Sequence, residues 1–154
     1  MARSLVHIET MQSMMPSRIA KPDLIHSIHG LNGSFQKAFR EQMRVVLYYE
    51  AYEIEKGNER WVLSGLLKES ISMEGGWRIK CNDAGLKLVQ AKVQSTLTAW
   101  LGAGGAGAEL PYWKDIETEE PNYSTLMYAQ LTRFECGGFA VGLSCSLLLA
   151  DPIL

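Results

Sequence analysis

The residue types that could do chemistry are concentrated near the end of the chain. Residues 139–150 carry no charged side chain, and Asp151 follows them directly. Because an unpaired carboxylate beside a buried apolar strand is costly, we expect Asp151 to have a partner. Ser144 and Ser146 flank Cys145 in the same stretch, and all three are potential nucleophiles. They do not form the G-x-S-x-G turn between a strand and a helix, so we interpret them as small side chains packed in a sheet.

Two further patterns have chemical precedents. His26 and His29 have an i, i+3 spacing, but no Cys, Asp or Glu cluster completes a metal site, so we expect loop or surface histidines and no metal. Residues 102–107 match G-x-G-x-x-G, the fingerprint of dinucleotide binding. That motif needs a strand before it and a helix after it, whereas here a predicted helix precedes it. We therefore predict a flexible glycine-rich linker over residues 102–111.

The elements that must position these residues are mainly strands. The pair Gly137-Gly138 lies between two apolar runs and predicts a hairpin, and the uncharged run after it predicts a strand covered on both faces. Alternating patterns and β-branched or aromatic residues predict further strands at 4–11, 43–49, 77–81, 86–91 and 126–134, the last pairing with the hairpin. Residues 82–85 suit a type I turn, and helical spacing predicts helices at 59–71 and 96–101. This order indicates an α/β fold with a mixed β-sheet and flanking helices.

Composition narrows the class of protein. The chain has 154 residues, 47% of them hydrophobic, and a net charge of -2, which suits one globular domain. Its basic residues form no run or stripe, so we expect no nucleic-acid partner. Cys81, Cys136 and Cys145 lack metal-ligand spacing, and with no secretory signal we expect reduced, buried thiols in a cytoplasmic protein. The longest uncharged run, residues 136–150, is too short for a transmembrane helix.

The C-terminal half of the chain resembles a known enzyme family. The run Gln130-Leu-Thr-Arg-Phe-Glu-Cys-Gly-Gly-Phe-Ala-Val-Gly-Leu-Ser144 is similar to the hairpin that precedes the His-x-x-x-Asp motif of plant BAHD (HXXXD-type) acyltransferases. Lys80-Cys-Asn-Asp-Ala-Gly-Leu-Lys-Leu-Val-Gln-Ala91 and Thr96-Leu-Thr-Ala-Trp-Leu101 resemble a second family segment in the correct order. The resemblance implies a transferase that moves an acyl group from acyl-CoA to a hydroxyl or amine of a plant metabolite. Acyl-CoA is then a co-substrate, with no bound cofactor, and its binding residues stay unassigned.

The resemblance also implies a fold of two similar domains of the chloramphenicol acetyltransferase type. Residues 1–154 then correspond to a partial, truncated first domain, and the second domain is absent. Between Ser72 and Gly75 there is no room for the strand that carries the family's Pro-Leu-Ala-Gly-Arg-like segment, so we expect helix 59–71 to run almost directly into Trp77. Pro152 replaces the Gly that usually follows the motif Asp, which stiffens the turn leaving the strand.

The motif itself is degenerate. Aligning Ala150-Asp151 with the motif places Leu147 where the family has the His that takes the proton from the acceptor. Leu has no proton acceptor, and general-base catalysis typically contributes about 10²–10⁴ in rate. Asp151 keeps the position of the family's structural Asp, although its expected Arg partner is not identifiable in this sequence. We therefore predict that this chain is inactive alone, and no catalytic residue is assigned.

Three functions remain open on these grounds. The first is a truncated or alternatively spliced member of the acyltransferase family. The second is a non-catalytic accessory or scaffold protein with a protein partner, because Ile79-Lys-Cys-Asn-Asp-Ala-Gly85 is also similar to ECERIFERUM-type relatives. That resemblance implies a role in fatty-acid elongation for cuticular wax that does not need the motif His. The third is a gene remnant without function.

Overall fold

The computed structural model describes residues 5–14, 25–27, 40–50, 70–72, 78–80, 86–104, 110–116 and 124–148. Within these ranges the chain forms eight β-strands and one α-helix. In chain order they are β1 (Val6–Met14), β2 (Ile25–Ser27), β3 (Gln42–Tyr49), β4 (Ser70–Ser72), β5 (Arg78–Lys80), β6 (Leu86–Val93), α1 (Leu97–Gly102), β7 (Met127–Phe134) and β8 (Phe139–Ser146). The helix found in these ranges is too short to cross a membrane.

Five strands form the main sheet, in the order β1-β6-β7-β8-β3. The pair β6 and β7 is parallel, and every other neighbouring pair is antiparallel. Parallel neighbours need a crossover connection, and α1 lies in that connection. Thr96 caps α1 because its Oγ1 accepts a hydrogen bond from the Ala99 N–H at 3.2 Å. The mixed sheet confirms the predicted α/β class.

The two faces of the main sheet are covered by different residues. Side chains alternate between the faces along each strand, so β8 contributes to both. On the face that carries α1, which we call the helix face, the buried cluster is Val93, Leu97, Trp100, Leu110, Phe134 and Ala140. On the opposite face, which we call the far face, it is Leu86, Leu88, Met127, Ala129 and Cys145. Strand β8 is therefore covered on both faces as predicted, with Val141 and Leu143 only half-buried.

The hairpin between β7 and β8 is confirmed. The Gly137 N–H donates to the Phe134 carbonyl at 3.0 Å, and the Phe134 N–H donates to the Gly138 carbonyl at 2.9 Å. Gly137 has a φ of 84°, in the left-handed region that favours glycine. The uncharged strand is shorter than predicted, because β8 ends at Ser146 and residues 147–148 form a turn.

Residues 70–80 differ from the prediction. Ser70 and Ile71 belong to strand β4, so the helix predicted over 59–71 is wrong at its C-terminal end, while residues 59–69 lie outside the described residues. A strand does fit before residue 77, contrary to the expectation of a helix running into it. Strand β5 pairs with both β4 and β2 in a separate three-stranded sheet. The backbone of β4 finds its hydrogen-bond partners in β5. The helical spacing of apolar residues in the sequence does not indicate this pairing.

Two neighbouring predictions fall partly outside the described residues. The type I turn predicted at residues 82–85 lies outside them, and the strands on either side of it, β5 and β6, belong to different sheets. The predicted linker 102–111 has packed ends, since Gly102 ends α1 and both Leu110 and Pro111 are buried. Residues 105–109 lie outside the described residues, where the linker stays a prediction.

Candidate functional site at the end of strand β8

Leu147 lies in the turn that directly follows β8. Its N–H donates to the carbonyl of Glu41, the residue before β3, at 3.2 Å. One residue earlier, the Ser146 N–H donates to the Leu126 carbonyl at 2.8 Å. Hydrogen bonds to the residues that directly precede the two neighbouring strands, β3 and β7, therefore fix the end of β8. The side chain at position 147 is placed by the sheet itself and is half-buried.

Ser146 fixes the shape of this turn. Its side chain is fully buried, and its Oγ accepts a hydrogen bond from the Leu148 N–H at 3.2 Å. A hydroxyl that accepts the N–H two residues ahead stabilises a turn. From the sequence, Ser146 was expected only to pack in the sheet, so this role in the turn is an addition to the prediction. A serine at the last position of a strand, just before a turn, is the signal that indicates such a bond.

The other two potential nucleophiles are enclosed by the sheet. Ser144 lies on the helix face, is fully buried, and its Oγ has no hydrogen-bond partner among the residues described. Cys145 lies on the far face, where its buried Sγ is 3.5 Å from the Ser146 carbonyl oxygen. Buried side chains of this kind are not presented to a substrate, which supports their interpretation as packing residues.

Residues 110–116 cross the helix face directly over β8. A Cβ added at Gly142 would lie 2.8 Å from the backbone oxygen of Leu110, so only glycine permits this approach. Farther along, Tyr112 and Trp113 pack edge-on against Tyr128 of β7, with ring centroids 5.0 and 5.7 Å away. Burial raises the pKa of Tyr128 above its ordinary value. These contacts fix one wall beside β8, the strand that ends at Ser146.

The remaining predicted site residues are placed as follows. Asp151 lies outside the described residues, so its structural role and its ion pair stay predictions. His26 lies in β2, and His29 is also outside the described residues. Across the described ranges, no group of three or more His, Cys, Asp and Glu side chains could hold a metal ion.

Cys136 corrects one expectation. It was predicted to be a buried thiol, but it is exposed in the turn between β7 and β8. Its Sγ accepts a hydrogen bond from the Leu97 N–H at 3.4 Å, and this bond together with one from the Gly138 N–H lowers the pKa of the thiol. The hairpin predicted at Gly137-Gly138 was the signal in the sequence that placed Cys136 at the turn, where side chains are exposed.

Comparison with known proteins identifies the family. A model of the Transferase family matches residues 61–152. Protein ECERIFERUM 26-like of Arabidopsis thaliana is 36% identical over 76 residues, which are 48% of this chain and 18% of that protein. The 17,18-epoxy-17-hydroxycur-19-ene N-malonyltransferase of Strychnos nux-vomica is 29% identical over 102 residues, or 58% of this chain and 22% of that protein. The crystal structure of vinorine synthase shares the fold, with a TM-score of 0.58 at 19% identity over 92% of this chain and 38% of that chain.

These matches have different extents. The chain spans only 18% and 22% of the lengths of the two curated relatives. The family model, in contrast, covers more than half of the present sequence, from strand β4 through the turn after β8. The chain therefore belongs to the Transferase family, the family of the BAHD acyltransferases, and corresponds to the N-terminal part of that fold.

Proposed function

We propose that this chain is an acyltransferase-family protein that does not catalyse acyl transfer by itself. The family reaction moves an acyl group from acyl-CoA to a hydroxyl or amine of a plant metabolite. The observation that supports the proposal is that Leu147 lies in the turn after β8. The resemblance to the family motif aligns this residue with the proton-accepting His.

Neighbouring groups on β8 do not replace the missing proton acceptor. The Leu147 side chain is a hydrocarbon. The Ser146 hydroxyl is buried and already accepts the Leu148 N–H, and the Ser144 hydroxyl is buried inside the helix face. Loss of a general base typically lowers the rate by about 10²–10⁴, which corresponds to roughly 3–5 kcal/mol of barrier.

The test measures CoA released from acetyl-CoA and malonyl-CoA by the purified chain, by liquid chromatography, with a panel of small alcohols and amines. We expect no release above the protein-free control. Leu147→His restores a proton acceptor at this position. Leu148→His is the matched control, since both leucines are half-buried in the same turn. The proposal would be contradicted if the amount of CoA released rose with the amount of wild-type protein added and if Leu147→Ala released CoA at the same rate.

A second candidate is a non-catalytic accessory role of the ECERIFERUM type. It is favoured by the 36% identity with Protein ECERIFERUM 26-like, above the 29% identity with the malonyltransferase. The test co-expresses the chain with a plant fatty-acid elongase in yeast and measures acyl-chain lengths by gas chromatography. If the chain is an accessory protein, the wild type and Leu147→Ala should shift the acyl-chain lengths by the same amount. Unchanged lengths, combined with CoA release gained in Leu147→His but not in Leu148→His, would favour the enzyme lineage.

Both candidates imply the same ligand and compartment. We propose that the chain, or the longer protein it belongs to, binds acyl-CoA, because acyl-CoA is the family's co-substrate. We propose the cytoplasm as the compartment because the thiols of Cys136 and Cys145 are reduced. Isothermal titration with acetyl-CoA tests the first point, and a fluorescent fusion expressed in leaf cells tests the second.

A further inference from the structure

We draw no further inference here: the strongest candidate, the buried polar cluster of Gln130, Thr132 and Ser144 on the helix face of the main sheet, carries none, because nothing among the described residues shows what would bind to its unpartnered Ser144 hydroxyl.

Discussion

Replacing Gly142 with alanine tests whether residues 110–116 cross β8 as the structure shows. The added Cβ would meet the backbone oxygen of Leu110 at 2.8 Å and the Pro111 Cα at 3.1 Å. Ordinary contacts begin at about 3.4 Å, so one of the two segments must move by about 0.6 Å. Backbone atoms cannot rotate away as a side chain can, and the change therefore strains the sheet or lifts residues 110–116 from it.

Overpacking of this kind typically costs about 1–3 kcal/mol. For a chain of this size, such a loss lowers the unfolding temperature by roughly 3–10 °C. Urea unfolding followed by tryptophan fluorescence and circular dichroism measures the free energy directly, with an unchanged slope showing that the unfolded state is not affected.

Gly102→Ala is the matched control for this experiment. Gly102 ends α1, and a Cβ there meets nothing within 4 Å. Alanine is the better helix former, so we expect unchanged or slightly higher stability. If Gly142→Ala is as stable as the wild type within about 0.5 kcal/mol and has native spectra, the close approach over β8 is refuted.

Three further outcomes are expected. Thr96→Ala removes the N-terminal cap of α1 and should lower the free energy of unfolding by about 1 kcal/mol in urea. Cys136 should be alkylated by iodoacetamide before Cys145, as peptide mass spectrometry can show, because the exposed thiol has a lowered pKa and Cys145 is buried. Lys92 lowers the pKa of Glu9, so the stability from this carboxylate is present above its ordinary pKa and lost as the pH falls through the lowered value. Urea midpoints across this acid range should fall less steeply in Lys92→Met.

Each of these outcomes has a control. Thr98→Ala changes an exposed position inside α1 and should not reproduce the loss caused by Thr96→Ala. Cys136→Ser should eliminate the early alkylation, and equal rates at both cysteines in the folded protein would contradict the structure. Glu9→Gln should flatten the acid dependence as Lys92→Met does. A wild-type slope in both variants would show that this ion pair contributes nothing.

Local patterns in the sequence determined those strands and helices whose hydrogen-bond partners are only a few residues away in the sequence. Gly137 supplies the left-handed conformation that the hairpin requires, so the β7–β8 pair follows from a few neighbouring residues. The cap at Thr96 and the short helix after it likewise depend on adjacent residues. The prediction that Leu147 occupies the position of the family's His likewise rests on one continuous segment.

The tertiary structure decided the features that need a distant partner. Ser70 and Ile71 form a strand because β5 lies beside them, and β5 and β6 separate into two sheets although a turn pattern joins them. Strand β1 is more exposed than its alternating pattern predicts, because it lies at an edge of the sheet. Short apolar patterns state which side chains prefer burial, but not which strand will cover them.

The site shows the same division. The resemblance to the family motif predicts, from the sequence alone, that the hydrocarbon side chain of Leu147 stands in place of the family's proton acceptor, and this stays a prediction. Only the tertiary structure showed that this position is fixed by the Glu41 carbonyl, that Ser146 closes the turn, and that Leu110 passes over Gly142. The physical reason is that these contacts join segments far apart in the chain, whose approach depends on how the whole sheet is assembled.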